Sequence, residues 1–226
     1  MLSHSLRAGP SRQLFGNRIF STATATQFLS NAVFYARQLL VPLYLITGCA
    51  LAPSRAGWMM ATFGLGMMCT FPLMGFLTER CGCRAVSAGG ALLGLVAVLP
   101  FLWMIEYQFS PALTVMSLFL AGAGQGTISI PSVSAAYASV PKARLAVATT
   151  ALNIVQRLGG PLATTVIAVV MSRSAPYFPA SGPRAFLVAF VLLVVLHVLV
   201  LGSASRLPVL IPHPQELATA MPAGAR

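Results

Sequence analysis

Two arginines sit where an arginine is hardest to keep. Arg37 and Arg157 lie inside long apolar stretches of a chain with no aspartate and three glutamates, Glu79, Glu106 and Glu216, all outside those stretches. If each stretch crosses a bilayer as a helix, Arg37 is about 15 Å and Arg157 about 18 Å deep, at 1.5 Å rise per residue. A guanidinium at that depth needs a water-filled cavity, a carboxylate or several carbonyls. No span offers a carboxylate, so one must come from another chain, or both arginines face water. Neutral polar residues accompany them: Asn31 and Gln38 near Arg37, Gln125 among Gly122, Gly124 and Gly126, and Asn153 and Gln156 near Arg157. For Arg37 two readings stand open, an aqueous cavity or a structural contact with a missing partner. Gly159, Gly160 and Pro161 follow Arg157 and point to a close-packed, structural role there. His197 is the one ionisable group between Val188 and Leu201. It reads as a neutral imidazole, lipid-facing or bonded to a carbonyl, in preference to a proton relay.

The elements that must position these groups are six apolar stretches, near 28–50, 56–78, 85–104, 111–133, 145–172 and 185–204. The bilayer core is about 30 Å thick and takes roughly 20 residues of helix. Hydrophobic residues make up 57% of the 226 and charged ones 8%, against about 25% charged in soluble domains. Mean hydropathy is +0.84. The expected fold class is an all-α membrane protein of six transmembrane helices. Residues 1–27 form a cytoplasmic lead-in, 28–204 the bundle, and 205–226 a proline-bearing, disordered cytoplasmic tail. Two triplets, 28–104 and 111–204, with an odd number of spans each, would be inverted repeats of one another.

The net charge of +11 does not mark a nucleic-acid binder, because the basic residues are scattered between spans. They orient the bundle instead. With the N-terminus inside, nine Lys and Arg fall on inner segments (7, 12, 18, 80, 84, 142, 144, 206 and 226) and three, Arg55, Arg173 and Arg184, on outer ones. Positive residues stay cytoplasmic, so both termini are expected inside a plasma (inner) membrane. The first 27 residues lack the uninterrupted apolar core of a secretory signal. Cys81 and Cys83 lie in a cytoplasmic loop with no histidine or second cysteine pair to complete a zinc site, so no metal and no cofactor is expected. Pro42, Pro72, Pro100, Pro131 and Pro161 place one proline in each of the first five spans. Gly90 with Gly94, and Gly122 with Gly126, have the spacing that lets helix backbones meet.

Gly75-Phe76-Leu77-Thr78-Glu79-Arg80-Cys81-Gly82-Cys83-Arg84 resembles the loop between the second and third helices of a half in major facilitator superfamily transporters. Leu14 to Phe20, Leu40 to Leu45, Gly122 to Gly126 with Pro131, and Asn153 to Gly160 resemble the first, fourth and fifth helices of the C-terminal half, closest to the fourteen-span drug:proton antiporters. The resemblance implies half of a bundle, with Gly75, Glu79, Arg80, Gly82 and Arg84 as a cytoplasmic gating element. Gly75 and Gly82 would permit close approach and the turn, Glu79 and Arg80 would hold the cytoplasmic side closed, and Arg84 would sit at the headgroup boundary. It makes Arg37, Gln38 and Gln125 substrate-path residues, and Gly122, Gly126, Pro131, Arg157, Gly159, Gly160 and Pro161 packing and kink positions.

These readings imply half of a proton-coupled efflux permease for small amphipathic compounds, incomplete without an N-terminal half or a second copy. The competing reading is a non-transporting fragment that packs against a full-length permease. An intramembrane enzyme needs a nucleophile with its base, paired carboxylates or a metal. The spans offer none of these in combination, so no catalytic residue is assigned. The expected partners are the lipid bilayer and a small-molecule substrate, and no nucleic acid.

Overall fold

A computed structural model describes residues 15–174 and 183–208, and their regular structure is helical. Helix α1 spans Arg18–Leu43 and runs on through a π-helical turn, Tyr44–Gly48. Its start lies well before residue 28. Asn17 caps it, with Oδ1 accepting from the Ile19 and Phe20 backbone N–H groups. The Thr22 and Thr26 hydroxyls bond carbonyls one turn back, at 2.7 and 2.9 Å. Hydropathy underrates such a segment because its polarity is satisfied within the helix. Arg7, Arg12, Leu14, Arg226 and the tail from 209 lie outside the described residues.

Helix α2 (Pro53–Thr70), a 3₁₀ turn (Phe71–Leu73), α3 (Met74–Val96) and α4 (Leu99–Glu106) follow. Five described segments are long and apolar enough to cross a membrane, and one of them, Pro53–Glu106, has 54 residues. Straight, it would reach about 80 Å, well over twice the hydrocarbon core. It is not straight. Gly82 adopts φ 80 and ψ 156, a conformation open to glycine. The neighbours of helix α5 (Pro111–Ala138) show the consequence. Gly122 abuts Phe63 and Gly126 abuts Thr70, so α2 runs parallel to α5. Gly90 abuts Thr127 and Gly124 abuts Gly94, so α3 runs antiparallel to it. The chain therefore folds back on itself at one reversed residue, where an open loop had been expected.

Helix α6 (Leu145–Ser174) and α7 (Leu187–Ala204) complete the order, preceded by 3₁₀ turns at Lys142–Arg144 and Pro183–Phe186. Pro131 and Pro161 lie inside helices, Pro42 just precedes the π turn, and Pro72 sits in the 3₁₀ turn. One end of the bundle closes on Tyr44, Phe101, Phe186 and Phe190, with ring centroids 5.2 to 6.2 Å apart. The other end closes on Phe20, Cys83, Leu152 and Leu207. Leu207 is fully buried, and its carbonyl accepts from Arg84 Nε at 2.6 Å. The beginning of the expected disordered tail is thus packed.

The glycines divide by what surrounds them. A Cβ on Gly122 would collide with the Phe63 carbonyl, and one on Gly159 with the Phe28 carbonyl. A Cβ on Gly75 or Gly64 would meet nothing within 4 Å. The close approach expected at Gly75 is therefore not made here, whereas the turn expected at Gly82 is. Gly122→Ala is expected to lower thermal stability in detergent by about 1–3 kcal/mol through overpacking. Gly64→Ala should leave it unchanged. Equal melting temperatures for the two variants would remove backbone contact at Gly122 as a source of stability.

Candidate functional site

Two sets of polar side chains stand out in the spans. The first lies in the seam where α1 meets α5 and α7, as a series of rungs. Thr26 Oγ1 meets Ser203 Oγ at 2.8 Å. Gln27 Nε2 donates to the Ser129 carbonyl at 2.6 Å. Gln125 Nε2 donates to Ser30 Oγ at 2.9 Å. Arg37 Nη2 lies 2.7 Å from His197 Nε2.

The last rung resolves the contradiction posed by Arg37. His197 Nδ1 lies 2.8 Å from the Leu193 carbonyl, which can only accept, so Nδ1 carries the proton. Nε2 is then a bare lone pair facing a guanidinium, which can only donate. The imidazole is neutral and carbonyl-bonded, and it serves as acceptor for a cation that no carboxylate reaches. The Arg37 guanidinium also lies 5.7 Å from the Phe63 ring centroid. Arg37 is 2% exposed and Gln125 6%. With Ser30, Gly94, Gly124 and His197 they line a cavity of about 10 Å³, room for about one water. Two of the three expected substrate-path residues are thus brought together, but inside the seam and away from any open surface.

The second set lies on an outer face. Gln38 is exposed on α1, as is Tyr35, with Asn31 half-buried near them. Gly160 of α6 packs on the Tyr35 ring. At helical spacing from Gly160 run Thr149, Asn153, Gln156, Arg157 and Thr164, a polar stripe along α6. Gln156 Nε2 donates to Asn153 Oδ1 at 2.9 Å. Arg157 is exposed, with no ion pair or hydrogen bond among the described residues. Val147, Ile154, Leu158, Leu162, Val166 and Val169 form an exposed apolar stripe on the other side of α6. Gly159 and Gly160 do make the close packing expected of them, but Arg157 beside them points outward. Arg157, Asn153, Gln156 and Tyr35 were not among the expected path residues. The signal for the α6 group was the 3.6-residue repeat of polar positions from 149 to 164.

The expected gating residues share the end of the bundle where α1 begins. Glu79 is exposed and makes no ion pair among the described residues, whose one salt bridge joins Arg184 to Glu106 at 3.3 Å. Arg80 lies over the Phe76 ring, 4.3 Å from its centroid. Arg84 ties α3 to the chain leaving α7. No His, Cys, Asp and Glu group among the described residues is placed to hold a metal. Among the described residues the arrangement offers pairing inside the seam and, outside it, a polar stripe with one exposed cation, Arg157.

His197→Leu is expected to destabilise the fold by about 2 kcal/mol, the worth of a hydrogen bond to a charged group. The double variant Arg37→Met with His197→Leu should recover most of that loss, because the stranded guanidinium goes too. A thermal-melt double-mutant cycle checks this. Additive losses would mean the pair is not coupled.

The sequence model of the Major Facilitator Superfamily matches residues 17–221. The chain is 25% identical over 162 residues to a multidrug resistance protein B homolog of Mycobacterium tuberculosis, covering 71% of this chain and 30% of the relative. It is 27% identical over 161 residues to the lincomycin resistance protein LmrB of Listeria monocytogenes, covering 71% and 34%. The uncharacterized MFS-type transporter YcnB of Bacillus subtilis is 23% identical over 165 residues, covering 73% and 35%. The matched stretch spans about a third of the length of these relatives. With helices able to cross a membrane and a family match over nearly all its length, the chain belongs to the Major Facilitator Superfamily of membrane transporters.

Proposed function

We propose that this chain is one half of a proton-coupled efflux permease for small amphipathic compounds, working against an N-terminal half or a second copy. Its six passes, counting Pro53–Glu106 as two, form inverted triplets in the plasma membrane, with both termini cytoplasmic. The observation that carries the reading is Arg157. A guanidinium exposed about 18 Å along a membrane helix cannot rest against hydrocarbon without a heavy penalty. The polar stripe it belongs to therefore faces water or another protein surface, while the apolar stripe of α6 faces lipid. Tyr35 and Gln38 extend that polar face onto α1. Two halves closing over such a face make a central pathway that opens to one side at a time.

Gln38 keeps its place as a path residue in this reading, joined by Asn153, Gln156 and Arg157, while Arg37 and Gln125 hold the half together from behind. Glu79, Arg80 and Arg84, with the turn at Gly82, act at the cytoplasmic rim against the other half. Glu79 lies near the reversal at Gly82 and Glu106 at a helix end, neither deep in a pass, so proton-carrying acids belong to the partner. The names of the relatives, multidrug and lincomycin resistance, support efflux as the direction.

Two measurements test this. In a background lacking Cys49, Cys69, Cys81 and Cys83, cysteine at 153 or 156 should react with a membrane-impermeant thiol reagent several-fold faster than cysteine at 158 or 162. Equal rates on the two stripes would overturn the assignment of the path. Reconstituted alone, the chain should give no proton-driven flux of an amphipathic cation, and co-reconstitution with an N-terminal half should restore it. Flux from the chain alone would overturn the half-permease reading, and tight co-purification without flux would favour the non-transporting alternative.

A further inference from the structure

At the end of the bundle where α1 begins, α3 leaves its reversal and α7 ends, Arg18, Arg84 and Arg206 line one open cavity of about 730 Å³. Three parts of the chain supply the three guanidiniums, and among the described residues no carboxylate lines the space. Arg84 is fixed by its Nε bond to the Leu207 carbonyl. Its two terminal nitrogens have no hydrogen bond among the described residues. Arg18 and Arg206 are exposed. A second cavity, about 620 Å³, shares Ser21, Thr22 and Arg206 with the first. It continues between α1 and α7 along Leu29, Val198 and Leu199.

We propose that this double cavity binds one anionic phospholipid, its phosphate among Arg18, Arg84 and Arg206 and an acyl chain along Leu29, Val198 and Leu199. Planar guanidiniums match phosphate oxygens two at a time, and basic pockets between helices on the cytoplasmic side suit acidic headgroups. A basic cleft alone would take any anion, and an apolar groove alone any hydrocarbon. Joined at Arg206, they select a molecule that carries both. Orientation in the membrane accounts for positive residues at this end, but not for their convergence, since Lys142 at the same end lies outside the cavity. The lipid ties α1 to α7, the two helices that Thr26–Ser203 and Arg37–His197 join deeper in the membrane.

The test uses the full chain in an uncharged detergent, offered equal amounts of dioleoyl phosphatidylglycerol and dioleoyl phosphatidylcholine, with bound lipid read by native mass spectrometry. One phosphatidylglycerol should be retained in preference to phosphatidylcholine. Each of Arg18→Gln, Arg84→Gln and Arg206→Gln should reduce its retention by about five-fold, and Lys142→Gln should leave it unchanged. Gly202 lines the apolar groove, and a Cβ there meets nothing within 4 Å. Gly202→Trp should therefore fill the groove and reduce retention with every arginine in place. Equal retention of the two lipids, or undiminished retention in the folded arginine variants, would overturn the proposal. Displacement by inorganic phosphate with Gly202→Trp neutral would overturn it in favour of a simple anion site. Melting temperatures are read alongside, and if a glutamine variant fails to fold, Gly202→Trp decides.

Discussion

The arrangement depends on one helix, α5, presenting bare backbone in two directions within a single turn. Gly122 and Gly126 lie four residues apart and meet α2 at Phe63 and Thr70. Gly124 points the other way and meets Gly90 and Gly94 of α3. Between them, Gln125 turns toward α1 and bonds Ser30. Hydrocarbon solvates a leucine as well as a neighbouring helix does, so helices in a bilayer gain from close van der Waals contact and interhelical hydrogen bonds. Five residues of α5 supply both. Any side chain at 122 or 124 would wedge α5 away from a neighbour, and the Gln125 bond to α1 would be lengthened in turn.

That constraint sorts the polar groups. A seam this tight has space for a small cavity at most, so what enters it must find a partner within it. Thr26, Gln27, Ser30 and Arg37 each do, on α5 or α7. Thr24, Ser87 and Ser117 are buried without a hydrogen-bond partner, while the larger polar groups outside the seam lie on the outer face, where the stripe from Thr149 to Thr164 adjoins Tyr35 and Gln38. The seam thus takes up its amide and guanidinium groups in pairs, and the outer face keeps Gln38 and Arg157 exposed.

Much of this was legible in the sequence, and the part that was not has a single cause. Hydropathy locates a residue along a span, and both arginines were placed at depth on that ground. It does not give azimuth. Arg37, for which an aqueous cavity and a structural contact stood open, is turned inward to His197, and Arg157, expected to be packed, is turned outward. Azimuth depends on which neighbour a helix meets, and that is set by distant pairs such as Gly159 with Phe28. On α6 the answer was still readable, because its polar residues repeat at helical spacing opposite an apolar stripe. On α1 it was not: Asn31 and Gln38 share one face, seven residues apart, but Arg37 beside Gln38 turns inward. The start of α1 was missed for a related reason, since Thr22 and Thr26 look polar in a hydropathy window but donate to their own helix.

The same bonds bear on how such a unit can move. At one end Asn17 Nδ2 donates to the Ser139 carbonyl at 2.8 Å and Arg84 reaches Leu207, joining α1, α3, α5 and the chain leaving α7. At the other, four aromatic rings join α1, α4 and α7. Between the two, the rungs of the seam run about 16 Å along α1, from Thr26 to Arg37 at 1.5 Å per residue. Sliding α1 against α7 by one turn would break the Thr26–Ser203 and Arg37–His197 bonds together and strand a guanidinium in hydrocarbon. Rocking the whole unit against a partner breaks none of them. In the proposed half-permease, motion against a partner would fall at the face formed by α1 and α6, where Gln38 and Arg157 are exposed.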